Sequence, residues 1–471
     1  MKTRFKKESF FSVSKKKLFE FHERDDAFSL LTPASAGIEV ESVASTLAPS
    51  DDVVRFAAGF GPFKFRFENI HTEYEPYELF VDEQQKGLFT EWRHEHRFVE
   101  AGWDRDPASQ LIDEISYAHP LLPAFNPFVR HRLGKLFEYR HLATSKEVHM
   151  NTESRKETEC KNVIVTGATG LIGKRVVQIL FEKGIHVVAF ARDIERAGRL
   201  LGDHVTCVHW DFSKPGDGDW KNHLANADGV IHLAGTPLFK KRWNPSFKKE
   251  MEKSRTLGTR QLVDAIVASD RKPNVFISAS ALGYYGTNPD RVVDENAEPA
   301  DDLLARICLN WESEAKKLDE HSVRSVLMRI GIVLSTESGA LKELLPLFKL
   351  GIGGTMGDPR PYINWIHIED VARMFTMALF NDEMTGPYNV AGPSPVTNAD
   401  FARAIARVLK RPALMRFPIP VLKAIIGESG EYASGGPRAK VSRIQDAGYR
   451  FFFNDLDNAL ENLLPSCVTR S

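Results

Sequence analysis

Three glycines, spaced three residues apart, directly follow an apolar run in this 471-residue chain. The segment begins at Asn162 and reads NVIVTGATGLIG, with glycines at Gly167, Gly170 and Gly173. In a turn between a strand and a helix, the first glycine permits the tight bend and the second lets phosphates approach the backbone, while the third allows close packing. The free N–H groups and positive dipole end of the helix attract anions. The pattern therefore predicts a site for the pyrophosphate of a dinucleotide.

A basic residue follows the next apolar run, where an acid would bind the ribose hydroxyls of NAD(H). The run is His186–Ala191 and the residue is Arg192, whose guanidinium would bind the 2′-phosphate of NADP(H). Lys174 and Arg175 could join it. Asp193 leaves NAD(H) open as an alternative, because a shift of the alignment by one residue would put this acid at the ribose-binding position. We expect NADP(H) to be favoured over NAD(H).

Strand and helix patterns alternate from Asn162 onwards, which predicts a doubly wound parallel sheet of Rossmann type. The predicted strands are Asn162–Thr166, His186–Ala191, His204–Trp210, Gly229–Leu233, Asn274–Ser278 and Ser325–Ile330. After about Ser335 the sequence becomes irregular and rich in glycine and proline. We expect a small substrate lobe there, with helices at Asp370–Phe380 and Asn398–Leu409.

The first part of the chain has a different pattern, typical of an α+β unit. FKFRF, from Phe63, and WRHEHRF, from Trp92, alternate polar and apolar residues, as strands with one buried face do. An amphipathic helix is predicted over Asn126–Leu142, and a polar stretch without periodicity then indicates a linker. His94 and His96 share one strand face and could ligate a metal, but no third ligand is in view, so we expect them to be packed or partly exposed and predict no metal site.

Composition limits the classes of function. The length predicts two or three domains, and 62 basic against 63 acidic residues leave no electrostatic footprint for nucleic acid. The four cysteines are far apart, which argues against a disulfide framework or a zinc site. No apolar run is long enough for a membrane span, and no signal peptide is recognisable, so we expect a cytoplasmic protein. The oligomeric state is not predictable.

Several segments resemble the extended short-chain dehydrogenase/reductase superfamily. VTGATGLIG is the first, followed by WD at Trp210, HLAG at His232 and YINWIHIEDVA at Tyr362. KRW, SRTLGT, SASALGYYG and NWE resemble a narrower epimerase-like family that has its own C-terminal domain, of the NAD-dependent epimerase/dehydratase type. LFEFHERDDAFSLLTP and WRHEHRF, in the first 144 residues, resemble a START-like (SRPBCC) ligand-binding domain.

The resemblance implies an order of domains and a set of cofactor contacts. Residues 1–145 would form a START-like helix-grip domain with an apolar ligand pocket, and residues 146–160 the linker. Residues 161–400 would form the NAD(P)-binding Rossmann domain, and residues 401–471 the C-terminal domain that contributes to the substrate lobe. The implied cofactor contacts are Gly167, Thr169, Gly170, Leu171, Ile172, Gly173, Arg192, Asp211, Leu233, Ala234 and Gly235.

The usual catalytic pair of the superfamily is missing. Its reductases use a serine or threonine, a tyrosine, and a lysine four residues after the tyrosine that lowers the phenol pKa. Ser280 matches the serine. Alignment of the helix through Glu312 places Leu304 at the tyrosine and Cys308 at the lysine. A leucine carries no proton, and a thiol cannot replace a fixed ammonium group.

Two tyrosines near Ser280 could carry the proton instead, namely Tyr284 and Tyr285. Two functions therefore stay open. One is an NADP(H)-dependent, epimerase-like oxidoreductase acting on a small-molecule substrate that the sequence does not identify. The other is a non-catalytic NADP(H)-binding regulatory or scaffold protein with a domain for a hydrophobic ligand.

Overall fold

The computed structural model divides the chain into two compact units, Met1–Ser154 and Arg155–Leu464. The described residues are 2–32, 38–50, 52–60, 63–118, 122–150, 160–214, 218–238, 241–432 and 434–464. None of the helices in these ranges is long and apolar enough to cross a membrane.

The first unit is built on a seven-stranded antiparallel sheet with the order β1-β7-β6-β5-β4-β3-β2. Its strands are β1 Thr3–Phe11, β2 Ile38–Ser42, β3 Val54–Phe60, β4 Phe63–Glu75, β5 Leu79–Lys86, β6 Glu91–Trp103 and β7 Asp106–Ala118. Its helices are α1 Lys15–His22, α2 Ala27–Leu30 and α3 Leu122–Met150. The two alternating segments lie in β4 and β6, as predicted. The antiparallel sheet is thus present, whereas its START-like character stays a prediction.

Helix α3 packs its apolar side chains against this sheet. Leu133 and Phe137 lie in one buried cluster with Ile115 and Tyr117 of β7. The helix is longer than the amphipathic pattern indicated, because it continues through residues 146–150 of the predicted linker. Val148, near its end, is buried in a second apolar cluster. The rest of the predicted linker, residues 151–159, lies outside the described residues.

The second unit contains a seven-stranded sheet in which every neighbouring pair is parallel, with the order β10-β9-β8-β11-β12-β14-β19. Its strands are β8 Asn162–Thr166, β9 His186–Ala191, β10 Thr206–His209, β11 Gly229–His232, β12 Val275–Ala281, β13 Val292–Val293, β14 Arg324–Ile330, β15 Ile332–Leu334, β16 Gly354–Met356, β17 Tyr362–Ile363, β18 Trp365–His367, β19 Gly386–Val390, β20 Val396–Thr397, β21 Met415–Phe417 and β22 Arg438–Ala439.

Helices connect most of these strands. They are α4 Leu171–Glu182, α5 Ile194–Leu201, α6 Trp220–Leu224, α7 Pro245–Val267, α8 Leu303–Lys316, α9 Ala340–Lys349, α10 Ile368–Phe380, α11 Asn398–Leu409, α12 Ile419–Ile426, α13 Ser442–Asp446 and α14 Leu456–Leu463. Parallel strands separated by helices confirm the predicted Rossmann-type architecture. The chain runs outward from β8 to β9 and β10, then returns to place β11 on the other side of β8, so the crevice for a ligand lies at the carboxyl ends of β8 and β11.

One strand of this sheet was not predicted. β19 reads GPYNV and forms the edge of the sheet beside β14. Glycine, proline and asparagine are poor strand formers, but an edge strand tolerates a proline because one side of its backbone has no partner strand. The segment after β14 otherwise forms two-stranded ribbons, such as β15 with β18 and β16 with β21. This agrees with the irregular lobe expected there.

Candidate functional site

The turn between β8 and α4, residues 167–173, is called the glycine turn below. Gly167 has a φ of +68°, and a Cβ atom added there would lie 2.7 Å from the carbonyl carbon of Leu233. A Cβ atom on Gly173 would lie 2.3 Å from the carbonyl oxygen of Gly167. No larger residue fits at either position without moving backbone. Gly167 and Gly173 therefore meet the steric demands that their spacing predicted, and the glycine turn touches the end of β11.

Hydrogen bonds hold the end of β11 beside the glycine turn. The backbone N–H groups of Leu233 and Ala234 donate to the carbonyl oxygen and the hydroxyl of Thr166, at 3.1 and 3.2 Å. His232 bonds to the same hydroxyl at 2.7 Å and to Thr259 at 3.1 Å. Burial lowers the pKa of His232 to about 3, so its imidazole is neutral and structural. Gly235 follows directly, which places all three predicted residues of this segment at the crevice.

Helix α4 points its amino end into that crevice. Gly170 is its N-cap residue and is exposed, while Thr169, Leu171 and Ile172 are half-buried. The N-cap residue is a glycine and so has no side chain to cap this helix end. Its first-turn N–H groups are therefore available to an anionic ligand, and the helix dipole favours negative charge there.

Arg192 and Asp193 occupy different environments, although either could take the position of the ribose-binding acid. Arg192 is exposed directly after β9. The Asp193 carboxylate caps α5 by accepting a hydrogen bond from the backbone N–H of Arg196 at 2.9 Å. Asp211, at the end of the neighbouring strand, accepts from the N–H and hydroxyl of Ser213 at 2.9 and 2.7 Å. Partial burial would raise the pKa of Asp211, but these bonds and then the charge of Arg192 lower it.

The two basic residues expected to assist Arg192 are engaged elsewhere. Arg175 donates to both carboxylate oxygens of Glu369 in α10, at 2.7 and 2.9 Å. Lys174 forms an ion pair with Glu337. The expectation for Arg175 is therefore wrong, because its guanidinium joins two helices instead of facing a phosphate. No local pattern signals this pair, which spans 194 residues of sequence.

Ser280 contacts a buried ion pair that the sequence did not reveal. Its hydroxyl donates to Glu312 of α8 at 2.7 Å. Arg329, at the end of β14, donates to the two oxygens of the same carboxylate, at 2.8 Å each. The Arg329 and Glu312 side chains are each 2% exposed. This bidentate pair gives Arg329 a role in holding β14 against α8.

Arg329 also brings the two tyrosines together. The Tyr285 hydroxyl accepts from Arg329 and donates to Asn389, at 2.8 Å each. Tyr285 is fully buried, and burial raises its pKa to about 12. The guanidinium carbon of Arg329 lies 3.6 Å from the centre of the Tyr284 ring, which is 8% exposed. Ser280, Tyr284 and Tyr285 therefore form one group around the Arg329–Glu312 pair, with Tyr284 less buried than Tyr285.

Leu304 and Cys308 face this group from α8. The Cys308 thiol lies 3.7 Å from the carbonyl oxygen of Ala281, and a Cβ atom on Gly283 would lie 3.3 Å from the Cβ of Leu304. Burial raises the pKa of Cys308 to about 12, so it is a neutral thiol near pH 7. Neither side chain is suited to move a proton.

Arg255 is a further charged residue of this region that the sequence analysis did not single out. It donates to the carbonyl oxygens of Thr236 and Met251, at 3.1 Å each, and lies over the Trp311 ring. A Cβ atom on Gly235 would lie 3.4 Å from its guanidinium carbon. Burial lowers the pKa of Arg255. Among the residues that the structure describes, its hydrogen bonds go to carbonyl oxygens and not to a carboxylate.

A parallel Rossmann sheet with a glycine turn at the point where the strand order reverses defines a protein of the nucleotide-binding class. Residues 163–391 match the NAD dependent epimerase/dehydratase family, and residues 417–463 match a domain of unknown function, DUF1731. The chain belongs to the epimerase family, in the group that carries this C-terminal domain.

Curated relatives support this membership. The epimerase family protein Mb2239 of Mycobacterium bovis is 35% identical over 300 residues, which are 63% of this chain and 96% of the relative. The chloroplastic epimerase family protein SDR39U1 homolog of Arabidopsis thaliana is 34% identical over 318 residues, which are 66% of this chain and 88% of the relative.

Solved structures show the same fold. The human epimerase family protein SDR39U1 with NADPH is 29% identical, with a TM-score of 0.58 over 64% of this chain and 99% of that chain. A nucleoside-diphosphate sugar epimerase from Corynebacterium glutamicum has a TM-score of 0.57 at 24% identity, and covers 98% of this chain and 90% of its own. The UDP-glucuronic acid 4-epimerase of Bacillus cereus with NAD has a TM-score of 0.53 at 19% identity, over 64% of this chain and 96% of its own. Among these solved structures of the same fold, one therefore contains NADPH and another contains NAD.

Proposed function

We propose that this chain is an NADP(H)-binding, epimerase-like oxidoreductase that acts on a small molecule without the usual Tyr/Lys pair. The observation that carries the cofactor preference is the end of β9. Arg192 is exposed there, while Asp193 is occupied as the N-cap of α5. A guanidinium would attract the 2′-phosphate of NADP(H), whereas one oxygen of the Asp193 carboxylate is already engaged at the start of α5. The NADPH in the human relative supports the same choice.

The remaining cofactor contacts follow from the crevice. The first-turn N–H groups of α4 would bind the pyrophosphate, and the Asp211 carboxylate would meet the adenine amino group. Leu233, Ala234 and Gly235 would line the adenine side. Arg255, whose half-buried guanidinium lies beside Gly235, would bind an anionic group of the cofactor or substrate.

The test is a titration of the unmodified protein with NADPH and with NADH, followed by the fluorescence of the dihydronicotinamide. A charge-assisted hydrogen bond to the 2′-phosphate contributes about 1.5–3 kcal/mol, so we expect NADPH to bind at least about 10-fold more tightly. Equal affinities would contradict the proposed preference.

For catalysis, we propose that Ser280 orients the substrate oxygen and that Tyr284 or Tyr285 moves the proton. Tyr284 is the less buried of the two, whereas the Tyr285 hydroxyl already bonds to Arg329 and Asn389. General acid–base assistance contributes about 10²–10⁴-fold. NADPH oxidation against carbonyl compounds and nucleotide sugars would be compared for the parent and for Ser280→Ala, Tyr284→Phe and Tyr285→Phe. Equal rates for all of these proteins would refute the assignment.

Cys308→Ala is the matched control for that series. Its thiol is buried beside Ser280 and is neutral near pH 7, so its removal should leave the rate unchanged. Loss of activity in Cys308→Ala alone would contradict a purely structural role for this cysteine.

For the first unit, we propose a START-like domain that binds a hydrophobic ligand. A cavity of about 850 Å³ lies between its sheet and α3, with Phe28, Phe56, Phe67 and Leu136 in its wall. This volume is within the range of small-molecule sites. Uptake of an apolar fluorescent probe by the full-length protein tests the proposal, and a protein that takes up no such probe would contradict it.

A specific observation also favours a non-catalytic NADP(H)-binding regulatory or scaffold protein. Leu304 lies beside Gly283 and Cys308 beside Ala281, at the positions aligned with the usual tyrosine and lysine, and Tyr285 is fully buried. Tight NADPH binding without turnover of any tested substrate would favour this second function.

A further inference from the structure

The cavity of the first unit has a polar cluster in its mainly apolar wall. Asp82, His94 and His96 line the cavity, and each histidine is 3% exposed. Buried histidines and carboxylates are costly unless they are paired or bind a metal ion. The contacts of these three residues therefore decide how their burial is compensated.

Strand register brings these residues to one face of the sheet. Asp82 of β5 lies directly opposite His94 of β6, and His96 lies directly opposite Asp113 of β7. Because side chains alternate along a strand, His94 and His96 point to the same side. The spacing along β6 showed only this last relation, and the strand register adds Asp82 as a third candidate ligand.

Asp113 lies close to one nitrogen of each histidine. Its Oδ1 atom lies 2.8 Å from Nε2 of His94 and 2.7 Å from Nδ1 of His96. The other two ring nitrogens face Asp82, whose Oδ2 atom lies 3.1 Å from Nδ1 of His94 and 3.4 Å from Nε2 of His96. One ligand atom from each of Asp82, His94 and His96 lies within 4.8 Å of the others.

This arrangement can accommodate a cation. A neutral imidazole has a single N–H group. If both histidines direct this N–H group at Asp113, the lone pairs on their other ring nitrogens face Oδ2 of Asp82. Three hydrogen-bond acceptors, two nitrogens and one oxygen, then converge. Either a proton or a metal ion resolves that repulsion.

Neighbouring groups orient the three ligands from outside. The Asn69 amide donates to Oδ1 of Asp82 at 2.9 Å, which leaves Oδ2 facing the histidines. His141 of α3 bonds to the second oxygen of Asp113 at 2.6 Å. A carboxylate on the far nitrogen of a ligating histidine is the usual way in which proteins fix its tautomer and ring orientation.

We propose that Asp82, His94 and His96 bind one divalent first-row transition-metal ion, whose remaining coordination positions face the cavity. Two imidazoles and one carboxylate suit Zn²⁺ or Fe²⁺, and open positions beside a cavity allow a water molecule or a ligand oxygen to bind. All three residues belong to the first unit.

The experiment uses the full-length protein after chelation and dialysis. It would be titrated with Co²⁺, followed by visible absorption, and with Zn²⁺, followed by calorimetry. We expect one ion per chain and bands typical of nitrogen and oxygen ligands. His94→Gln, His96→Gln and Asp82→Asn should abolish stoichiometric binding. Melting of each metal-free variant checks that it is folded.

His71→Gln is the matched control, because His71 also lines the cavity but lies outside the three ligands. It should bind as the parent does. Asp113→Asn should weaken binding by about 10–100-fold, as loss of an outer partner does. The proposal would be overturned if the folded parent bound neither Co²⁺ nor Zn²⁺ at one ion per chain. It would also be overturned if His94→Gln and His96→Gln both bound metal with the affinity of the parent. If the variants do not fold, the stoichiometry and Co²⁺ spectrum of the parent decide the matter.

Discussion

Arg329 and Glu312 form a charged pair in the interior of the second unit, next to the predicted catalytic serine. Both side chains are buried, and the carboxylate accepts three hydrogen bonds, two from Arg329 and one from Ser280. Removing one partner of such a pair destabilises the folded state, because the other charge is left without compensation in a medium of low dielectric.

We expect Glu312→Gln to lower the free energy of unfolding by about 3–5 kcal/mol, since Arg329 would keep its charge without a counterion. Urea denaturation of the two proteins measures this difference. Glu195→Gln serves as the control, because Glu195 forms an exposed pair with Arg199 in α5 and should change stability by less than about 0.5 kcal/mol. Similar small changes in both variants would contradict the importance assigned to the buried pair.

Arg192 is expected to decide the cofactor preference. Arg192→Asp should weaken NADPH binding by about 10- to 150-fold, because it removes a charge-assisted hydrogen bond of about 1.5–3 kcal/mol and adds a repulsive charge. Its affinity for NADH should change much less. Cofactor titration measures both values, with Arg199→Asp, at an exposed position of α5, as a control of equal charge change. An unchanged ratio of the two affinities in Arg192→Asp would count against the proposed 2′-phosphate contact.

At the scale of elements, a charge cluster joins the helix of the glycine turn to α10. Glu369 at the start of α10 binds Arg175 of α4 and also accepts from Arg373 at 2.6 Å. Burial alone would raise the pKa of Glu369, but the charges of the two arginines lower it to about 2. The cluster therefore helps to hold α4, whose amino end faces the crevice.

The depressed pKa makes this link sensitive to acid. Ionised Glu369 stabilises the folded state above its ordinary pKa of 4.5, and the contribution is lost as the pH falls towards 2. We expect Glu369→Gln to destabilise the protein at pH 7 and the difference from the parent to narrow below about pH 4.5. Denaturation at several pH values from 7 to 3 measures this, with Glu343→Gln, an exposed residue of α9, as the control. A difference independent of pH would show that the charge of Glu369 does not stabilise the fold.

At the scale of the whole molecule, the chain is organised as two units with separate apolar interiors. The first unit extends through Ser154, and its long helix reaches Met150. Val148 is 3% exposed in a cluster with Phe11 and Phe98. A fragment that stops at residue 145 therefore loses part of this core.

We expect residues 1–154 to fold alone and to melt cooperatively, and residues 1–145 to be less stable. Loss of a buried valine side chain costs about 1.5–3 kcal/mol of transfer free energy. Calorimetric melting of the two fragments measures the difference, and apolar probe uptake by the longer one reports on the cavity. Equal melting temperatures would show that residues 146–150 add nothing to this core.

The sequence by itself determined the features that depend on neighbouring residues. Gly167 and Gly173 were placed correctly because a tight turn and a close packing contact impose local steric demands. Six strands of the parallel sheet were placed correctly because hydrophobic periodicity reports burial along a single element. The edge strand β19 was missed because its glycine, proline and asparagine disfavour strands, and only its pairing with β14 makes it one.

Only the tertiary structure decided which distant groups meet. Arg175 binds Glu369 across 194 residues of sequence, and Arg329 meets Glu312 from a different element. Asp82 joins His94 and His96 through the register of neighbouring strands, which spacing along one strand cannot show. A charged side chain is compatible with solvent, with an ion pair or with a ligand, and its sequence neighbours do not distinguish among them. Its partner is selected by the packing of whole elements, because burial makes an unpaired charge too costly to retain.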